Sequence, residues 1–260
     1  MSEPVLAVEG VTKRFGAVVA ADDVTFEIPD GHTKGFIGPN GAGKTTLLNC
    51  VSGVYDVTEG RVRFNGEDVT NVSPDEMARR GLGRTFQITN LFDEFSVFEN
   101  LRLAAQVATE DNYNAWDRYT ELSDPIDRAA EVLGEIGLGH RADDPVSDLS
   151  HGEKRQVEFG MVIVTDPDLI LLDEPSAGMA SDKITTITDL VEELKGEYAI
   201  ILVEHNLDMV MEVSDSIMVL DNGRLIADGP PAEIREDERV REAYLGTEGN
   251  VADMGGAGAR

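Results

Sequence analysis

The run Gly38-Pro39-Asn40-Gly41-Ala42-Gly43-Lys44-Thr45 has the composition and spacing of a loop that wraps phosphate groups. Glycines let successive backbone N–H groups converge on one anion, and the N-terminus of a following helix adds positive potential. Lys44 then reaches the β- and γ-phosphates of a nucleotide, and the Thr45 hydroxyl ligates Mg²⁺. Thr46, next in line, is read as a further nucleotide contact.

A second group lies far along the chain. Leu169-Ile170-Leu171-Leu172 is an apolar run that ends in Asp173-Glu174. A buried strand of this kind delivers a carboxylate beside a phosphate loop, where Asp173 helps to hold the metal. Glu174, one residue on, polarises an attacking water as general base. A third string, Leu149-Ser150-His151-Gly152-Glu153, has two readings. Ser150 with Glu153 three residues later is the pattern of a capping box, and so of an ordinary helix start. It is equally the pattern of a second phosphate-binding helix N-terminus. The first loop already fills that role within one chain, so the second reading requires two chains arranged head to tail.

These groups need elements to carry them. Residues 34–37 read as a short strand into the glycine-rich loop, followed by a helix over about 45–52. Residues 169–172 and 199–203 are continuous apolar runs of strand length, each followed by a helical pattern, as expected of buried parallel strands with helical crossovers. Residues 5–8, 24–28 and 61–64 are β-rich, with Pro29-Asp30-Gly31 and Asn65-Gly66 as turns, and predict a small antiparallel sheet beside the core. Residues 91–146 change character: 99–107 and 126–136 carry apolar residues at spacings of three and four, which predicts an inserted helical subdomain. The expectation is an α/β fold: a P-loop NTPase core with a parallel sheet, a flanking antiparallel β-subdomain and a helical insertion, together spanning 4–246. Residues 247–260, rich in glycine and small residues, read as a disordered tail.

Composition narrows the roles. The 260 residues hold 22 basic and 50 acidic side chains, a net charge of −28, and a pI near 4.3. Such a surface repels nucleic-acid phosphates and anionic lipid headgroups, and no basic stripe offsets it. A chain this acidic yet 41% hydrophobic suits a salt-rich cytoplasm, where a short Debye length relieves self-repulsion. Cys50 is the sole cysteine, so no internal disulfide forms and a reducing cytosol is expected. Neither a signal peptide nor an apolar stretch of membrane-spanning length is visible, so a membrane role is expected to come through a partner.

The order of these motifs resembles an ATP-binding cassette (ABC) ATPase over about residues 4–246. By motif match, the resemblance implies further roles. Phe15, in Lys13-Arg14-Phe15-Gly16, takes the place of the aromatic that stacks on adenine, the other reading being a core phenylalanine. Gln87, in Arg84-Thr85-Phe86-Gln87, takes the place of the glutamine that joins Mg²⁺ and the water to the transport partner. His205, 31 residues beyond Glu174, takes the place of the switch histidine at the γ-phosphate. Ser150 and Gly152 would close the ATP of the other chain. Two departures stand out: His151 replaces a glycine of the signature, and Ser176-Ala177-Gly178-Met179 lacks the usual Asp, with Asp182 nearby.

Within the family, Gly83-Arg84-Thr85-Phe86-Gln87, Val97-Phe98-Glu99-Asn100-Leu101 and Val240-Arg241-Glu242-Ala243-Tyr244-Leu245-Gly246 resemble the ATP-binding subunits of branched-chain amino-acid importers. Leu149-Ser150-His151-Gly152 and Ala177-Gly178-Met179 also look like the related urea and short-chain amide branch. The resemblance implies ATP and Mg²⁺ as cofactors. It implies as partners transmembrane permease subunits, a second ATP-binding subunit (identical or paralogous) and, indirectly, an extracytoplasmic substrate-binding protein. The expected place is the cytoplasmic face of the membrane. Two other readings compete, a soluble non-transport ABC ATPase and a regulatory module that binds without hydrolysing. The single cassette with its short insert disfavours the first. Glu174 and His205 together disfavour the second. Phe92, Phe95 and Phe98 are candidates for a semi-exposed groove that receives a permease helix, although Phe95 and Phe98 could equally seat the insert on the core.

Overall fold

The computed structural model describes residues 3–85, 91–110, 125–177, 179 and 181–245. They divide between two compact units, the first drawn from residues up to 74 and from 195 onward, the second from 75–194.

The first unit holds two sheets. Strands β1 (Leu6–Phe15), β2 (Val18–Ile28), β4 (Glu59–Phe64) and β5 (Glu67–Asp68) pair antiparallel in the order β2-β1-β4-β5. Leu6 lies opposite both Ile28 and Phe64. The β1–β2 ladder shifts register three times between Val8 and Arg14. Leu6, Ala7 and Val8 are buried in succession, which is why residues 5–8 alternate poorly in sequence. The irregularities beyond Val8 are why the rest of this ten-residue strand does not read as one, since alternation is a property of regular pleating and there the pleat is interrupted.

The other sheet strands of this unit are β3 (Thr33–Ile37), β8 (Ala199–Val203), β9 (Ser216–Asp221) and β10 (Arg224–Gly229). β3 runs parallel to β8 on one side and to β9 on the other, while β9 and β10 form an antiparallel hairpin. Every residue of β3 and β8 is buried. Both faces are therefore covered, which explains the unbroken apolar runs. Helix α1 (Lys44–Val51) follows β3, and α7 (Leu207–Val213) follows β8. Gly35 of β3 lets α7 approach: a Cβ there would lie 2.5 Å from Val210 Cγ1 and 2.7 Å from Ser214 Oγ. Two short helices, α8 (Pro231–Glu236) and α9 (Glu238–Leu245), end the described chain.

The second unit pairs β6 (Leu82–Arg84) parallel with β7 (Leu169–Asp173). Its helices are α2 (Pro74–Arg79), α3 (Val97–Glu110), α4 (Pro125–Glu135), α5 (His151–Ile163) and α6 (Ser181–Leu194). Helix α3 packs on α4 and α5. Gly160 makes the second contact possible, since a Cβ at that position would meet Leu101 and Ile136 side chains at 2.8 and 2.9 Å. Both helical patterns expected between 91 and 146 are present as α3 and α4, each longer or shifted by a residue or two. The proposed tail lies outside the described residues.

Candidate functional site

Parallel strands β3, β8 and β9 end at one edge of their sheet, with Phe36 opposite Val203 and Ile37 opposite Val219. The glycine-rich loop leaves β3 at that edge, where ligands of open α/β sheets bind. Gly38 (φ 149°) and Gly43 (φ 103°) are both in backbone regions closed to side chains. A Cβ on Gly38 would strike the Leu220 carbonyl, and one on Gly43 the Ala20 carbonyl. The loop is folded back on itself by Ala42 N–H donating to Pro39 O at 3.1 Å, and braced by Gly223 N–H donating to Ala42 O at 2.9 Å.

Lys44 is buried, and its ammonium donates to the carbonyls of Gly38 (2.6 Å) and Pro39 (3.2 Å). The charge is thus held at the loop. Helix α1 has Gly43 as its N-cap, so no capping side chain stands at the end where an anion would meet the helix dipole. Asn40 and Gly41 form the exposed crest, the Thr45 side chain is exposed, and Thr46 is half-buried.

Phe15 is 45% exposed, which removes the core alternative. Its ring meets Tyr55 edge-to-face at 5.3 Å, and the Lys13 ammonium stands 4.8 Å from its centroid. Tyr55 carries no sequence signal and was not anticipated. His205 is exposed and sits two residues past β8. The buried Glu204 holds this turn by accepting from the N–H groups of His205 (3.0 Å) and Asn206 (3.4 Å), and Asn206 caps α7. Tyr244, on α9, is a further residue that sequence reasoning missed. Burial pushes its phenol up to about 12, while a hydrogen bond with the Gly38 backbone opposes that rise. Helix α9 therefore touches the first residue of the phosphate loop.

In the second unit, Asp173 is the last residue of β7 and is buried, with its Oδ2 3.3 Å from Arg84 Nη2. Glu174 leaves the strand in the left-handed region, φ 52°. This strained turn is held by Ala177 N–H donating to Glu174 O (3.0 Å) and by the buried Arg155, which donates Nε to Pro175 O (3.2 Å). Ser150 is the N-cap of α5 in a complete capping box: its Oγ accepts from Glu153 N–H (3.4 Å), and Glu153 Oε2 accepts from Ser150 N–H (2.8 Å). Hydrogen bonds from the Ser150 hydroxyl and then from its backbone N–H hold the Glu153 carboxyl below its usual range. The helix-start reading therefore holds. Ser150 and Gly152 open onto a cleft of about 220 Å³ shared with Gln156, Met179 and Thr186. Gln87 lies outside the described residues, as does the side chain of Asp182.

A phosphate loop between parallel strands, with a buried acidic strand end followed by a glutamate, defines a nucleoside triphosphatase of the P-loop class. Comparison with known proteins narrows the class. The family described as ABC transporter matches residues 21–177, and that described as branched-chain amino acid ATP-binding cassette transporter matches 224–250. The chain belongs to the ABC transporter family, as an ATP-binding cassette that hydrolyses ATP in transport. It is similar to the high-affinity branched-chain amino acid transport ATP-binding protein LivG of Salmonella typhimurium, 37% identical over 95% of this chain and 99% of that one. BraF of Pseudomonas aeruginosa is 36% identical over the same shares. Among solved structures, the ADP conformation of the ATP-binding cassette MJ1267 superposes with a TM-score of 0.82 at 33% identity, covering 94% of this chain and all of that one. No helix among the described residues is long and apolar enough to cross a membrane.

Proposed function

We propose that this chain is the ATP-hydrolysing subunit of a branched-chain amino-acid importer, with residues 4–246 as the cassette and 91–146 as its helical insert. The observation that carries the cargo is the match of residues 224–250, a segment outside the part common to ABC transporters. The ATPase does not touch cargo, so fold and chemistry alone leave it open.

In this reading Phe15 stacks on the adenine, the loop N–H groups and Lys44 bind the phosphates, and His205 contacts the γ-phosphate. Thr45, Asp173 and Gln87 would hold Mg²⁺, and the fit is chemical: hydroxyl, carboxylate and amide supply only hard oxygens. Bound there, the ion offsets phosphate charge. Glu174 orients the water and takes its proton. Ser150 and Gly152 of a second ATP-binding subunit, identical or paralogous, donate to the γ-phosphate from the far side, so that ATP closes a head-to-tail dimer and hydrolysis reopens it. Membrane permease subunits place the chain at the cytoplasmic face and receive the motion, and a substrate-binding protein delivers the cargo. In the same reading, the acid excess suits a salt-rich cytoplasm.

The test is to purify the complex from membranes through this subunit, identify what accompanies it, and reconstitute it in vesicles at high KCl. Leucine, isoleucine or valine with the binding protein should stimulate ATP hydrolysis. Stimulation by urea or a short-chain amide instead would assign the chain to that related branch. Purification without any membrane subunit would favour a soluble ABC ATPase.

A further inference from the structure

Arg84 ends β6 beside the strand that carries Asp173. The two strands are parallel with Arg84 opposite Leu171, and Thr85 N–H donates to Leu171 O at 3.0 Å. The ladder thus fixes where the arginine leaves the sheet. Its Nη2 lies 3.3 Å from Asp173 Oδ2, and both side chains are nearly closed to water, 11% and 3% exposed. A buried carboxylate at a strand end is costly unless a cation or hydrogen bonds compensate it. Here a guanidinium compensates the very carboxylate assigned above to the metal. Two cations cannot share that oxygen without repelling each other, so the pair that steadies the metal-free site also opposes the ion.

We propose that Arg84 is a positioning residue that stands in for the metal at Asp173, holding the carboxylate in place when no divalent ion is bound and setting how much of the ion the site requires. The inference rests on the assignment of Asp173 to the metal, and the experiment separates the two. Mn²⁺ binding is counted by electron paramagnetic resonance in the presence of ADP, for the parent, Arg84→Gln, Arg84→Lys and Asp173→Asn. Melting temperatures are taken in EDTA and with Mg²⁺ and ADP.

Arg84→Gln should tighten Mn²⁺ by about fivefold or more, since a repelling charge a few ångströms away is lost. Arg84→Lys, which keeps the charge, should stay near the parent. Arg84→Gln should also melt lower in EDTA and recover when Mg²⁺ and ADP are added. Mn²⁺ affinity that is unchanged or weaker in Arg84→Gln, with binding lost in Asp173→Asn, would overturn the role of Arg84 alone. Binding that survives in Asp173→Asn would overturn the metal assignment and this inference with it. An Arg84→Gln chain that folds only with Mg²⁺ and ADP supports the proposal, and one that folds in neither condition overturns it as a plain structural ion pair.

Discussion

At the scale of single residues, the roles proposed for Glu174 and Lys44 separate catalysis from binding. Glu174 follows a buried aspartate and sits in a left-handed turn, so its carboxylate is displaced from the strand direction that Asp173 follows. Glu174→Gln preserves that shape and removes the charge. Turnover should fall by about 10²–10⁴-fold, the usual worth of a general base, while ATP affinity stays near the parent value. ATPase rates beside fluorescent-nucleotide titrations would measure this, and near-parental turnover would shift the base assignment to His205. Lys44→Ala should differ in kind. Its ammonium bridges two loop carbonyls, so the substitution loosens the loop and, in the reading proposed above, also removes a phosphate contact, and nucleotide binding itself should weaken. His205→Ala should slow hydrolysis with a modest loss of affinity, because the Glu204 carboxylate and the Asn206 cap that shape its turn remain.

At the scale of elements, the loop before α3 and the start of α5 behave as one piece. Phe95 O accepts from Val146 N–H, Asp93 O accepts from Ser147 N–H, and Lys154 of α5 pairs with Asp93 at 3.0 Å. The buried Asn100 accepts from Phe92 N–H and donates to the Phe92 and Ser96 carbonyls. This frame presents Phe92 and Phe95 as a stacked pair, centroids 5.6 Å apart and 51% and 43% exposed, so neither ring seats the insert. Phe92→Asp should therefore change the melting temperature little, as surface substitutions cost about 0.5 kcal/mol or less, and should leave ATP binding intact. In the reconstituted complex it should uncouple hydrolysis from transport. Loss of ATP binding would show that Phe92 serves the fold instead. The capping box gives α5 a pH dependence. Glu153 has a folded pKa below its unfolded value, so its stabilisation is fully present above the ordinary glutamate range and disappears as pH falls through the lowered folded value. Helicity should thus soften in acid earlier in Ser150→Ala, which also forfeits about 1 kcal/mol of capping. Circular dichroism across pH 3–7 (an interval on the order of the carboxylate range) would measure it, and superimposable curves would exclude the effect.

For the whole molecule, the charge of −28 is the dominant quantity. Self-repulsion opposes compaction, and screening shortens its reach from about 10 Å at 0.1 M salt to about 3 Å at 1 M. The unfolding midpoint should rise steeply from dilute buffer to molar KCl, and a midpoint indifferent to salt would end the case for a salt-rich cytoplasm. Two such chains meet the same repulsion between them. Sedimentation of Glu174→Gln with ATP and Mg²⁺ should show a dimer that strengthens with KCl, and a strict monomer in high salt would overturn the head-to-tail arrangement.

The phosphate loop, the Asp173-Glu174 strand end and the Ser150–Glu153 cap were legible in the chain because each is a local device. A turn, a strand end or a helix start is dictated by residues within a few positions, and apolar runs mark buried parallel strands wherever they fall. Non-local arrangements were not legible. The irregular β1–β2 ladder hid residues 9–15 of β1, since bulges break the alternation that marks a strand. Tyr55 against Phe15, Tyr244 on Gly38, and Arg84 on Asp173 join residues 40, 206 and 89 positions apart. No sequence spacing encodes such pairs. Folding brings them together, and burial then makes their partners matter, because a charge or phenol removed from water must find compensation in whatever the tertiary structure sets beside it.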